Sequence, residues 1–111
     1  MSPEYLAGFF DGEGTFYIGK QYKNGKIYPK AQVMLSQSGF EGFLLLEEIQ
    51  KKFNGTIYQH LKAGEHKATK PAYKLYWNKE EAIKLCEILI PYLKLKKQAA
   101  EDVLAYLTRN Q

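Results

Sequence analysis

The sequence holds one cysteine, one arginine and two histidines, and nowhere a run of apolar residues long enough to span a bilayer. A lone Cys86 excludes an intramolecular disulfide and fits an intracellular setting. His60 and His66 are too few and too isolated to build a metal site, and read as polar surface residues. The N-terminus lacks the pattern of a signal peptide, so no membrane partner is expected. With Arg109 as the only arginine, bidentate arginine contacts to guanine are essentially closed to this chain. Any reading of bases would fall to Gln, Lys and Tyr.

What is present is lysine, unevenly placed. The formal net charge of 111 residues is only +4. From Thr15 to Ser38, however, there are Lys20, Lys23, Lys26 and Lys30 and no acid; from Thr56 to Lys79, Lys62, Lys67, Lys70, Lys74 and Lys79 stand against Glu65 alone. These two stretches carry +8 and the remainder −4, which gives a near-neutral chain an electrostatic face suited to a polyanion. The length suits a single domain, residues 1–111, with a modest core.

The rest of the chain is organised around Leu6-Ala7-Gly8-Phe9-Phe10-Asp11-Gly12-Glu13-Gly14. Ser2, Pro3 and Glu4 supply an N-cap, a first-turn proline and an early acid, so a helix is predicted to start there. Gly12 and Gly14 are expected to stop it through the left-handed conformation. Gly8 and Gly12 lie four apart on one face with Ala7 beside them, a spacing that lets a second helix approach closely. Asp11 and Glu13 fall at the C-terminal end, which the helix dipole and unpaired carbonyls already make negative. Oxygen ligands gathered there suit a divalent cation. A glycine-rich helix end with two solvated acids is the plainer reading of the same residues.

Thr15 to Tyr22 then alternates as a half-buried strand, with Phe16 and Ile18 inward and Tyr17, Gly19 and Gln21 outward. Asn24-Gly25 is a strong hairpin signal. The return strand, about Ile27 to Leu35, puts Ala31, Val33 and Leu35 inward and Tyr28, Lys30, Gln32 and Met34 outward. Ser38-Gly39-Phe40-Glu41 reads as a capping box opening a second helix, with Phe43, Leu46, Ile49 and Phe53 as its core face and Asn54-Gly55 as its end. In a second strand pair, Ile57, Leu61, Tyr73, Leu75 and Trp77 are expected inward and Tyr58, His60, Lys62, Lys74 and Tyr76 outward. Residues Ala63 to Pro71 read as a loop. Asn78 caps a third helix with Ala82, Ile83, Leu85, Cys86, Leu89 and Ile90 inward; Pro91 stops it, and Ala99, Ala100, Val103, Leu104 and Leu107 line a last one. Cys86 reads as a buried small hydrophobe. The layering is α+β, a four-stranded antiparallel sheet covered by helices on one face. Its outer face of Tyr, Lys and Gln suits base edges and phosphates, and is equally the composition of a solvated sheet.

Residues 6–14 resemble the LAGLIDADG motif of homing endonucleases, and the order αββαββαα matches that fold along nearly the whole chain. The resemblance implies a saddle-shaped sheet lying in the DNA major groove. It further implies a dimer interface through Leu6, Ala7, Gly8, Phe9, Asp11 and Gly12, and a metal held by Glu13 with the Gly12 carbonyl. Gln37 is similar to the family's glutamine at the end of the second strand, and Lys96 to the lysine closing the segment Pro91–Lys96. The implied catalytic set is therefore Glu13, Gln37 and Lys96. Lys94, Lys96 and Lys97 in so short a stretch also suit a solvated turn. Some members place an arginine shortly after the glutamine, where this chain has Glu41.

The motif occurs once, which implies a homodimer. The implied function is site-specific hydrolysis of double-stranded DNA at a long, roughly palindromic target, with Mg²⁺ as cofactor and Ca²⁺ or Mn²⁺ able to substitute for binding or activity. The expected DNA surface comprises Tyr17, Gln21, Lys23, Lys26, Tyr28, Lys30, Gln32, Met34, Tyr58, His60, Lys62, Lys74 and Tyr76. No small-molecule substrate is expected. The competing class is a DNA- or RNA-binding protein of the same fold that does not cleave, maturase-like or regulatory. A small protein-interaction domain is the third, and it predicts no salt-dependent binding to nucleic acid.

Overall fold

Ser2 opens the first helix, α1 (Pro3–Glu13): its hydroxyl accepts from the Tyr5 N–H at 3.1 Å, as an N-cap should. The far end differs from expectation. In this computed structural model, which describes residues 1–62 and 70–109, Gly14 is extended (φ −88°), not left-handed, and its N–H closes the helix on the Phe10 carbonyl. Glycine is required there for space, because a Cβ would fall 2.1 Å from the buried Phe10 ring. The chain passes directly into β1 (Gly14–Lys23).

Asn24 (φ 52°) and Gly25 (φ 76°) both adopt positive φ, the conformation of a two-residue type I′ hairpin, and β2 (Lys26–Ser38) returns. Helix α2 (Gly39–Phe53) starts without the expected capping box, since the Ser38 side chain makes no cap bond. Gly39 instead takes φ 76° and donates its N–H to the Pro71 carbonyl at 2.8 Å, so the turn is held by a distant strand end. Strands β3 (Thr56–Leu61) and β4 (Ala72–Tyr76) follow, then α3 (Lys79–Leu89), a single 3₁₀ turn (Ile90–Tyr92) and α4 (Lys97–Arg109). Asn78 caps α3 by accepting from the Glu81 N–H at 3.0 Å. Most of the loop read into residues 63–71, with Glu65, His66 and Lys67, lies outside the described residues.

The four strands are antiparallel in the order β1-β2-β4-β3. All helices pack on one face. Phe10 stands at the centre, its ring 4.9 Å from that of Phe16 and 5.7 Å from Trp77. Leu6 and Ala7 from α1, Leu46 and Ile49 from α2, Leu85, Cys86 and Leu89 from α3, and Ala100 and Val103 from α4 complete the buried layer over Val33, Leu35 and Leu75. Among the described residues no polar or charged residue is buried. Three inward assignments need correction. Ile18, on the outer strand β1, is exposed although its partner Ala31 packs against the core. Phe43 is half-buried, resting on the Tyr73 ring at 4.9 Å. Leu61 stays out of the core because β3 changes register before it.

Candidate functional site

The register settles which side chains share the face without helices. In an antiparallel pair, opposed residues lie on the same side. Tyr17 opposes Gln32, Gln21 opposes Tyr28, Lys23 opposes Lys26, and Gly19 opposes Lys30. Met34 opposes Tyr76, and Tyr58 opposes Lys74. The whole expected set up to Tyr58 therefore forms one surface, with Lys23, Lys26, Lys30 and Lys74 along it. No described strand residue is acidic. The rings of Tyr17, Tyr28, Tyr58 and Tyr76 are exposed, and Tyr58 meets Tyr76 edge-on at 5.6 Å. Between β2 and the end of β4 opens a notch of about 580 Å³ lined by Lys30, Gln32 and Tyr58 of this face and, on the helix side, by Ala82 of α3 and Leu107 of α4.

Two expected members fall differently. Pairing steps from Gln59–Tyr73 to Leu61–Ala72, so His60 is the extra residue of a β-bulge and strict alternation ends there. His60 is half-buried with its Nδ1 unpartnered, and Lys62 lies past the end of β3. Lys20 opposes Pro29 on the other face of the hairpin, where the Tyr106 hydroxyl donates to the Pro29 carbonyl at 3.2 Å.

At one end of this surface α1 terminates, and a second feature is assembled there from far along the chain. The Asp11 carboxylate accepts three backbone N–H groups: Lys94 on Oδ2 at 2.9 Å, and Leu95 and Lys96 on Oδ1, each at 3.0 Å. The Lys96 ammonium donates to the Gly14 carbonyl. Glu13, the last residue of α1, is exposed beside it. Glu13 and Lys96 are thus brought to one helix end. Gln37 lies two residues along β2 from Leu35, the partner of Gly14, half-buried on the helix side. It is pressed so close to α2 that a Cβ on Gly42 would come within 2.8 Å of its own. No signal in the sequence tied Asp11 to residues 94–96.

The donor chemistry at this helix end fits a hard divalent cation: the Glu13 carboxylate and the Gly12 carbonyl offer oxygen only. Among the described residues no further carboxylate completes this set. Asp11 has both oxygens occupied, and among the described residues no three His, Cys, Asp or Glu converge. Cys86 contributes no chemistry, because burial, with Glu87 nearby, pushes its thiol up to about 12.

The expected dimer face of α1 also needs correction. Leu6 and Ala7 are 0 % exposed within the chain's own core, so they have no surface to offer a second copy. Asp11 is spent on residues 94–96. Gly8 and Gly12 are exposed, with nothing within 4 Å of a Cβ built on either, and Tyr5 and the half-buried Phe9 flank them. This leaves a shallow, small-residue strip along the outside of α1.

A model of the LAGLIDADG endonuclease family matches residues 6–108. Among solved structures, the homing endonuclease I-CvuI in complex with a DNA target has a TM-score of 0.76 at 24% identity, covering 96% of this chain and 65% of that one. The homing endonuclease I-TnaI has a TM-score of 0.76 at 21% identity, covering 99% of this chain and 76% of that one. The LAGLIDADG homing endonuclease I-GzeII, in complex with a DNA target, has a TM-score of 0.73 at 22% identity, covering 99% of this chain and 37% of that one. The chain thus spans just under two thirds of I-CvuI. No curated protein matches the sequence.

Proposed function

The chain belongs to the LAGLIDADG endonuclease family, and from that premise we propose that it is a site-specific double-strand DNA endonuclease acting as a homodimer on a long, roughly palindromic target. The observation that carries this reading is the bond of the Lys96 ammonium to the Gly14 carbonyl, next in the chain to the exposed Glu13 at the end of α1, at the border of a sheet face bearing lysines and no acid. Phosphates would be held by Lys23, Lys26, Lys30 and Lys74. Gln21, Gln32 and the exposed tyrosines would meet base edges in the major groove.

Glu13 and the Gly12 carbonyl would hold a divalent cation, Mg²⁺ in the cell, with Ca²⁺ or Mn²⁺ able to take its place for binding or activity. When bound, such an ion neutralises phosphate charge and makes water a better nucleophile. The Lys96 ammonium, in a half-buried position, stabilises the negative charge that develops on the phosphate as the bond is cut. Gln37, at the end of β2, would orient water or phosphate from the side. A single chain supplies one Glu13, so cutting both strands calls for a second copy. The strip of Gly8 and Gly12 on α1 is a face on which two copies can meet about a two-fold axis. No helix among the described residues is long and apolar enough to cross a membrane.

The test is selection of cut sequences from a random duplex pool with Mg²⁺, followed by comparison with Glu13→Gln. That substitution keeps the shape and removes the charge that holds the cation. Cleavage should fall by orders of magnitude, while binding to the selected duplex, followed in Ca²⁺, is retained. Near-normal cutting by Glu13→Gln would remove this residue from the mechanism. Binding without cutting by the wild-type protein would favour the non-cleaving alternative.

A further inference from the structure

We propose that Asp11 is the positioning residue for Lys96: its carboxylate fixes the backbone of Lys94–Lys96 against the end of α1 and thereby selects which of three neighbouring lysines reaches the Glu13 end. The inference rests on the endonuclease reading for its consequence in cleavage, and on hydrogen-bond geometry alone for the positioning.

Asp11 sits where a carboxylate is disfavoured, in the last turn of a helix whose dipole is negative at that end. Three N–H donors at 2.9, 3.0 and 3.0 Å offset that cost, since hydrogen bonds to an ionised group are stronger than neutral ones. All three partners are donors, so the group facing them must accept on both oxygens and donate on neither. Only the ionised acid does this; an asparagine amide would turn an N–H toward at least one backbone N–H.

The segment is anchored at its ends by the Leu93 N–H on the Leu89 carbonyl and the Ala100 N–H on the Lys96 carbonyl, and little besides Asp11 fixes the path between them. Between the 3₁₀ turn and α4, Leu93 is buried, but Lys94 and Leu95 are exposed, Leu95 at 82 %. Packing would therefore allow these residues to shift or rotate. With Asp11 in place, Lys96 is tied twice to the motif, through its backbone N–H to Asp11 and through its ammonium to the Gly14 carbonyl. Lys94 is tied only through its backbone and Lys97 by neither group, and both are exposed. The bond from Asp11 spans 85 positions of sequence and joins the helix carrying Glu13 to the segment carrying Lys96.

The experiment compares wild type, Asp11→Asn, Lys96→Met and the double variant by amide hydrogen exchange, and by cleavage in Mg²⁺ with binding measured separately in Ca²⁺. In Asp11→Asn, exchange at Lys94, Leu95 and Lys96 should quicken by ~10-fold or more beyond any common change at core amides. Cleavage at saturating DNA should fall by ~10-fold or more with affinity in Ca²⁺ held within ~3-fold, and the double variant should cut no more slowly than Lys96→Met alone. Additive losses in the double variant, or unchanged exchange at residues 94–96, would overturn the proposal. If wild type cuts no duplex, the endonuclease reading fails, and the exchange result alone decides the positioning. Should Asp11→Asn not fold, lysine acylation of the wild-type protein, read by mass spectrometry, decides instead. Lys96 should react more slowly than Lys94 and Lys97, and equal rates would refute the double tether.

Discussion

Lys30→Ala and Lys20→Ala are a matched pair that tests which face of the sheet meets DNA. The two lysines are on the same hairpin and both exposed. Lys30 opposes Gly19 on the open face, whereas Lys20 opposes Pro29 on the helix side. Each lysine–phosphate contact releases counterions and contributes about 0.9 to the slope of log affinity against log salt. In a homodimer Lys30→Ala removes two such contacts, so the slope should flatten by about 1.8. Between 50 and 200 mM salt, the gap between wild type and variant should then narrow by about 10-fold. Replacing Lys26, Lys30 and Lys74 together removes six contacts, and the same interval should cost the wild-type advantage about 10³-fold. Lys20→Ala should leave the slope within a few tenths of wild type. The assay is fluorescence anisotropy on a labelled duplex in Ca²⁺ across a salt series. Equal flattening by the two single variants would show that facing, as set by the register, does not decide contact, and the open-face reading would fall.

Other substitutions test other parts of the structure. Gly8→Leu adds a side chain where nothing lies within 4 Å in the chain itself; monomer stability should not fall, and leucine's better helix propensity can raise it by up to about 1 kcal/mol, while self-association on sedimentation weakens and double-strand cutting is lost. A wild-type protein that stays monomeric at high concentration and on DNA would defeat this. Gly14→Ala puts a Cβ 2.1 Å from the Phe10 ring, so urea unfolding should report a loss of about 1–3 kcal/mol; an unchanged midpoint would mean Phe10 has room to move. For Cys86 the folded thiol is held neutral up to about 12 against an ordinary 9.0, so its contribution to stability is complete below pH 9 and is lost as pH rises toward 12. Urea midpoints of wild type should accordingly fall more steeply over that window than those of Cys86→Ala, and maleimide should label the thiol at neutral pH only through unfolding.

The hairpin turn at Asn24-Gly25, the N-caps at Ser2 and Asn78 and the alternation through Phe16, Tyr17, Gln32 and Val33 were all legible without coordinates. Each depends on a few adjacent residues: a left-handed turn, a side-chain oxygen over a free N–H, a period of two. The helix faces around Leu46, Leu85 and Val103 followed from a period of 3.6 for the same reason. The motif at residues 6–14 carried the family, because its glycines and acids are specific in kind and spacing.

What the sequence alone determined was therefore local conformation, the order of elements and the family to which the motif belongs. Tertiary structure decided the rest. Leu6 and Ala7 lost their place in the dimer face because the core claims that side of α1. Gly14 proved necessary for the volume of Phe10, not for its own dihedral angles, and the bulge at His60 came from how β3 had to meet β4. Asp11 found its three partners more than eighty positions away. No local rule reaches that far, since such contacts exist only once the helices have packed and fixed which backbone groups face one another.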